Sequence, residues 1–176
     1  FAGYRKYKVM KLFPILRLLY LPRNYLNKIL MRISSVMRKI EYLQLNRLLS
    51  CLDRDYRIYY QELMSFVPSR IRNMLYTKNI IKRITYSRSE TYLFKKFLEL
   101  YNLNYFDQIL SVDIQSFLPE VILTKADISS MGNSLETRSP FLDQEFMELT
   151  ASMPADLKLN YFQDKYILKR VAKKII

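Results

Sequence analysis

The chain has 176 residues, half of them hydrophobic, with a net charge of +13, one cysteine and no histidine. That length and apolar content suit a folded domain rather than a disordered chain, and a lone cysteine without histidine excludes a disulfide framework, a zinc cluster and histidine-based acid–base chemistry. The reducing cytoplasm is the location expected for such a thiol.

The only glycines are Gly3 and Gly132, a scarcity that predicts a mainly α fold rather than a β-rich one with many tight turns. No apolar run reaches the roughly 18 to 20 residues of a membrane-spanning helix, so no transmembrane segment is expected. The opening FAGYRKYKVMKLF lacks the separate charged, apolar and small-residue zones of a signal peptide. The sequence starts on Phe rather than Met and stops inside KRVAKKII, a helical pattern without a stop signal, so a piece of a longer protein is expected.

Charge divides the chain. Residues 1–88 carry 19 Lys+Arg against 4 Asp+Glu, a net +15, and residues 89–176 carry 10 against 12, a net −2. Such a basic block suits an anionic partner, nucleic acid or a membrane surface, and solvated basic helix faces give the same signature.

In the basic half, Leu26, Ile29, Leu30, Ile33, Met37 and Ile40 recur at helical spacing with Lys28, Arg32, Arg38 and Lys39 on other faces, which predicts an amphipathic helix. Leu45, Leu48, Leu49 and Leu52 repeat the pattern, as do Tyr92, Leu93, Phe97 and Leu100. Six prolines, Pro14, Pro22, Pro68, Pro119, Pro140 and Pro154, punctuate a string of helices with no domain boundary. Cys51 falls in a leucine-rich stretch and reads as a buried structural thiol. The 15 tyrosines are scattered through helical patterns, which suits core and amphipathic surface better than a base-stacking sheet.

The stretch LTKADISSMGNSLETRSPFLD threads Lys125, Asp127, Glu136, Arg138 and Asp143 among apolar side chains, so charge is expected where a core forms. Pro119 is expected to open a helix carrying Val121, Ile122, Lys125, Ile128 and Met131, with Ser139-Pro140 ending that segment. Asp143 is expected to cap the next helix, with Glu145 in its first turn and Pro154 closing it. Asp164 is read as a further N-cap, before a helix with Ile167, Leu168, Val171, Ala172 and Ile175 on its apolar side.

Lys165 would sit in the first turn of that helix. A cation gains nothing from the dipole there, so the lysine is expected to serve a bound anion that the free N–H groups also meet; a solvated surface lysine is the plain alternative. No Gly-rich phosphate loop, Cys–His pair or metal-ligand cluster appears, so the chain has no self-sufficient catalytic constellation and no metal ligand is assigned.

With these motifs placed, FLPEVILTKADISSMGNSLETRSPFLD resembles the synthetase domain of glutamine-hydrolysing asparagine synthetases. The family carries Leu-Pro-Asp-Asp-Ile-Leu, a Lys-x-Asp-Arg-x-Ser-Met step and Ser-Leu-Glu-x-Arg-x-Pro-Phe-Leu-Asp. FAGYRKY resembles its Phe-Gly-Gly-Tyr segment, and SMPADLKL with DKYILKR resembles its Leu-Pro-x-x-Leu-Lys and Lys-Tyr-x-Leu-Arg elements. Departures are Ala2 for a glycine, Glu120-Val121 for the acidic pair, Ile128 for the arginine and Ser139 for a valine.

The resemblance implies the helical C-terminal portion of an α/β synthetase domain of the adenine-nucleotide alpha hydrolase-like type. Residues 8–100 would be a basic helical insertion and 101–176 the helices walling the active site. The N-terminal amidotransferase domain and the Ser-Gly-Gly-x-Asp-Ser pyrophosphate loop would lie outside this chain, and Cys51 is not the amidotransferase nucleophile.

The implied chemistry is activation of aspartate by ATP as an acyl-adenylate, with Mg²⁺ bound mainly by other parts of the parent, followed by attack of glutamine-derived ammonia to give asparagine. Lys165 and Asp127 would be catalytic, and Glu136, Arg138 and Lys125 would support the substrate and ATP site. A homodimer is a possible assembly, no specific nucleic acid is expected, and the isolated piece is expected to be inactive. Two alternatives stand beside this: a noncatalytic basic helical module that binds RNA or anionic membrane, and a relative that amidates a different carboxylate.

Overall fold

The computed structural model describes residues 2–18, 49, 52–67, 69–84, 89–160 and 163–175. The expected amphipathic helix from Leu26 to Ile40, together with Leu45, Leu48 and Cys51, lies outside the described residues. Among the described residues every regular element is helical, and extended pairing is limited to one isolated antiparallel bridge between Leu159 and Asp164. The mainly α class expected from the sequence is observed.

In chain order the α-helices are α1 (Arg5–Leu18), α2 (Tyr56–Met64), α3 (Ser69–Leu75), α4 (Lys78–Ile84), α5 (Ser89–Glu99), α6 (Tyr105–Gln115), α7 (Thr124–Met131), α8 (Gln144–Ser152), α9 (Ala155–Lys158) and α10 (Tyr166–Ile175). A π-helical turn, Leu118–Leu123, leads into α7, and a 3₁₀ turn, Pro140–Leu142, precedes α8. Two compact units result, one of residues 1–11 and 99–176 and the other of residues 12–98.

In the unit of residues 12–98 the core is aromatic. Phe13, Leu52, Tyr59, Tyr60 and Phe97 are buried, with Phe13 and Tyr59 ring centroids 4.8 Å apart and Phe97 meeting Tyr60 and Tyr56 edge-on at 5.9 and 6.1 Å, the offset and T-shaped geometries that ring quadrupoles favour. Phe97 is thus the inward residue of the expected Tyr92–Leu100 pattern, whereas Tyr92 is exposed. Asp55 caps α2 by accepting from Arg57 N at 2.9 Å, and its carboxylate also receives Arg57 Nε at 2.8 Å and Nη2 at 3.0 Å. Those hydrogen bonds hold the Asp55 carboxyl below the usual carboxylate range. Pro14 was expected to punctuate the series, yet α1 runs through it; a proline removes one donor from a helix interior without obliging the helix to end.

In the unit of residues 1–11 and 99–176, Asn104 caps α6 by accepting from Phe106 N at 3.1 Å and Asp107 N at 3.0 Å. The inward face of α6 carries Phe106, Ile109, Val112 and Asp113, all buried. The carbonyl of Pro119 accepts from both the backbone N–H and the hydroxyl of Thr124, the latter at 2.8 Å, which closes the rare π-helical turn.

α7 was expected to continue to Ser139, but it ends at Met131. Leu135 N donates to Ser130 O at 3.0 Å and Ser134 N to Met131 O at 2.9 Å, with Ser134 in the left-handed region at φ 57°. This is a Schellman stop, in which a left-handed residue lets the last carbonyls find donors.

Asp143 caps α8 as expected, accepting from Phe146 N at 3.0 Å, with Glu145 in the first turn. The helix ends at Ser152, just ahead of Pro154.

Candidate functional site

Three short segments meet within the unit of residues 1–11 and 99–176: the N-terminal turn Ala2-Gly3-Tyr4, the first half of α1, and the link from α9 to α10. Lys11 Nζ lies 2.5 Å from Asp156 Oδ1 and also donates to the carbonyl of Leu159. Lys8 Nζ lies 3.3 Å from Asp164 Oδ1, and Lys169 reaches the same oxygen at 3.2 Å. The Asp164 carboxyl is lowered to about 2, first by its own backbone N–H and then by Lys169 and Lys8. The loop is tied by reciprocal backbone bonds, Asn160 N to Gln163 O at 3.0 Å and Gln163 N to Asn160 O at 3.2 Å.

Lys165 follows. Its carbonyl accepts from Lys169 N at 2.9 Å, and α10 begins at Tyr166, so Lys165 itself occupies the N-cap position. This corrects the expectation that Asp164 caps the helix and that Lys165 lies inside its first turn. Asp164 is engaged in the bridge to Leu159 and in the two lysine contacts instead.

Lys165 adopts φ 51°, a left-handed conformation that costs a residue with a Cβ about 1 kcal/mol or more. Its aliphatic chain crosses Gly3 so closely that a Cβ on Gly3 would lie 2.5 Å from Lys165 Cε and 3.3 Å from Cγ. The absence of a side chain at Gly3 is therefore what lets Lys165 take this course, and the open space is the track along which it runs. The residue remains exposed beside the first N–H groups of α10, which the helix itself leaves unsatisfied.

The other sequence-predicted residues fall elsewhere in this unit. Lys125 and Asp127 stand exposed on α7, and Glu136 and Arg138 form an exposed pair with Arg138 Nη2 2.8 Å from Glu136 Oε1. Among the described residues, no hydrogen bond or ion pair joins these four to Lys165. The expectation that the charges of residues 123–143 sit where a core forms is corrected: α7 and the following segment are exposed, and so are the apolar Ile128, Met131, Leu135 and Phe141. Among the described residues, nothing packs over that face strongly enough to bury them.

One cluster was not anticipated from the sequence. Asp113 is buried on α6, and its Oδ2 receives both the hydroxyl of Tyr7 and, at 2.6 Å, the ammonium of Lys6. Lys6 Nζ also lies 4.4 Å from the ring centroid of Phe117, within cation–π range. Burial pushes the Lys6 ammonium below its ordinary value, opposed by Asp113, and pushes the Tyr7 hydroxyl up. The signal was available: Asp113 shares a helix face with Phe106 and Ile109, and a carboxylate on an apolar face requires a cation.

Among the described residues no three His, Cys, Asp or Glu side chains form a group able to hold a metal ion.

Among the described residues the chain is thus mainly α, with an exposed lysine at the start of its last helix. The family model described as "Asparagine synthase" matches residues 1–176, and the chain belongs to that family. A stretch of 65 residues is 40% identical to "Asparagine synthetase [glutamine-hydrolyzing] 1" of Bacillus subtilis and, in a separate comparison, 40% identical over 65 residues to a "Putative asparagine synthetase [glutamine-hydrolyzing]" of Mycobacterium tuberculosis. Each match spans 37% of this chain and 10% of the relative. A stretch of 66 residues is 39% identical to "Amidase chyE" of Penicillium rubens, spanning 34% of this chain and 10% of that protein. The matches thus cover a tenth of the length of these curated relatives. No solved structure matches the chain. Among the described residues, no helix is long and apolar enough to cross a membrane.

Proposed function

We propose that this chain is part of the synthetase domain of an ATP-dependent ligase that converts a side-chain carboxylate, aspartate in the first instance, into its amide through an acyl-adenylate, with ammonia supplied by glutamine hydrolysis elsewhere in the parent. The family membership and the names of the relatives support the class of reaction. The observation that carries the residue-level reading is the exposed Lys165 at the start of α10, laid along Gly3.

Adenylation places growing negative charge on the departing pyrophosphate. A fixed ammonium beside free helix N–H groups lowers the energy of that charge more in the transition state than in the ground state. The left-handed backbone and the Gly3 track give Lys165 a restricted approach. Lys8 and Lys169 are engaged by Asp164, so they serve the fold of the loop. Asp127 is assigned to substrate orientation or proton transfer, Lys125 to the same wall, and Glu136 with Arg138 to positioning beneath it. Apart from Lys8 and Lys11, which belong to the same unit as Lys165, the basic residues 8–100 are assigned to a solvated insertion.

The deciding experiment is Lys165→Ala in the full-length parent, followed by pyrophosphate release with ammonia as nitrogen source. Turnover is expected to fall roughly 10²- to 10³-fold, with ATP binding much less affected. Lys165→Arg is expected to rescue little, because a planar guanidinium does not reproduce a compact ammonium. Near-normal release from a well-folded Lys165→Ala protein would return this lysine to the solvated surface.

A further inference from the structure

The Ala2-Gly3-Tyr4 turn has no regular structure of its own to hold it opposite Lys165. Past Arg5 come Lys6 and Tyr7, both of which end on one oxygen of Asp113. That carboxylate is buried on α6, the Lys6 ammonium is surrounded by the rings of Tyr4, Tyr7 and Phe117 at 5.4, 5.2 and 4.4 Å, and Tyr4 meets Phe117 edge-on at 6.0 Å. A buried ion pair contributes little net stability relative to apolar side chains of the same volume. What a single oxygen shared by two donors does impose is register: α1 cannot rotate or slide against α6 without breaking a charged hydrogen bond to the buried Asp113.

Further contacts of α1 take up that register. Lys8 reaches Asp164, the residue before Lys165, and Lys11 reaches Asp156 and Leu159. The start of α1, from Lys6 to Lys11, is thereby tied both to α6 and to the α9–α10 link, and Gly3 precedes it against Lys165.

We propose that Asp113 is a positioning residue for the Lys165 site: through Lys6 and Tyr7 it sets the Gly3 track along which the Lys165 ammonium is delivered. This inference rests on the reading of Lys165 as the group that meets pyrophosphate.

The test is a double-mutant cycle in the full-length parent, reading pyrophosphate release with ammonia well below the thermal midpoint of every variant. Asp113→Asn keeps the shape of the side chain and removes its charge; Tyr7→Phe removes one hydrogen bond and guards against a misfolded first variant. Each is expected to lower kcat, Asp113→Asn by about tenfold or more, the scale on which displacement of a reacting group acts, with KM for ATP within about threefold. Asp113→Glu is expected to restore part of the loss. In a Lys165→Ala background Asp113→Asn is expected to have almost no further effect, since residues acting through one group are not additive. A lowered thermal midpoint with unchanged kcat, or losses that simply add to those of Lys165→Ala, would make Asp113 a stability residue alone and leave the role of Lys165 intact. Wild-type release from Lys165→Ala would overturn both.

Discussion

Gly3 and Lys165 are in contact across almost the whole length of the chain, with the lysine's methylenes filling the space that a side chain on residue 3 would need. The obstruction falls on the far end of a flexible side chain rather than on backbone, so Gly3→Ala is tolerated by the fold and moves Lys165 instead. In the parent enzyme this substitution is expected to slow pyrophosphate release about tenfold or more while leaving the thermal midpoint nearly unchanged, because misplacing a reacting group by about 1 Å suffices for such a loss. Unaltered release would show that the track does not constrain the ammonium.

The neighbouring residue is constrained differently. Ala2 has φ 45° and is 4% exposed, so its backbone favours glycine while its methyl is packed. Ala2→Gly exchanges relief of strain for lost burial and added freedom in the unfolded chain, and is expected to change stability by less than about 1 kcal/mol. Ala2→Val places a β-branched side chain at positive φ in a full site and is expected to cost about 2 kcal/mol or more. Hydrogen exchange of the α1 amides compares the two; equal protection in both variants would contradict the left-handed assignment.

Lys158 is a buried cation serving structure. Its ammonium donates to Ala151 O at 2.9 Å and lies 3.7 Å from Asp107 Oδ1, an oxygen without a hydrogen-bond partner among the described residues. Lys158→Met keeps the bulk and removes the charge, which leaves the buried Oδ1 of Asp107 without its neighbouring cation. Local opening of α9 is expected to become easier by about 1–3 kcal/mol, read as faster exchange of the amides following Pro154. Adding Asp107→Asn is expected to recover part of the loss; failure of the pair to couple would separate the two residues.

The parts of this fold that were legible in the sequence are those specified within a few residues. Asp143 ahead of Glu145 marks a helix start by local hydrogen bonding, and it caps α8 as read. The end of α7 was misread because Ser134 occupies the left-handed position that a glycine usually announces, whereas Gly132 has an ordinary helical φ of −59°. The start of α10 shifted because Asp164 is held by the distant Lys8 and by its bridge to Leu159, partners that outweigh its local capping tendency. Lys165 itself was legible as a lysine at a helix start, but its contact with Gly3 was not, since nothing in either segment encodes their meeting. Asp113 was legible in principle, as one acid on an apolar face, though Lys6 and Tyr7 as its partners were not.

Asp164 provides a pH test of the loop that carries Lys165. Its carboxyl is lowered from 3.8 to about 2, with its own backbone N–H the largest cause and Lys169 and Lys8 following. A carboxyl lowered on folding favours the folded state above its ordinary value, and that contribution is lost as pH falls from 3.8 through about 2. Asp164 is therefore ionised throughout the neutral range and contributes nothing to the pH dependence of turnover there. Carbon-13 titration of aspartate-labelled protein is expected to place its inflection near 2 in the wild type. Lys8→Met and Lys169→Met should each raise it, and the double variant should raise it further while the backbone hydrogen bond keeps it below 3.8. Salt should weaken the effect, since all three side chains are reached by solvent. An inflection at the ordinary value in the wild type would mean that neither its backbone N–H nor the two lysines engage the Asp164 carboxylate.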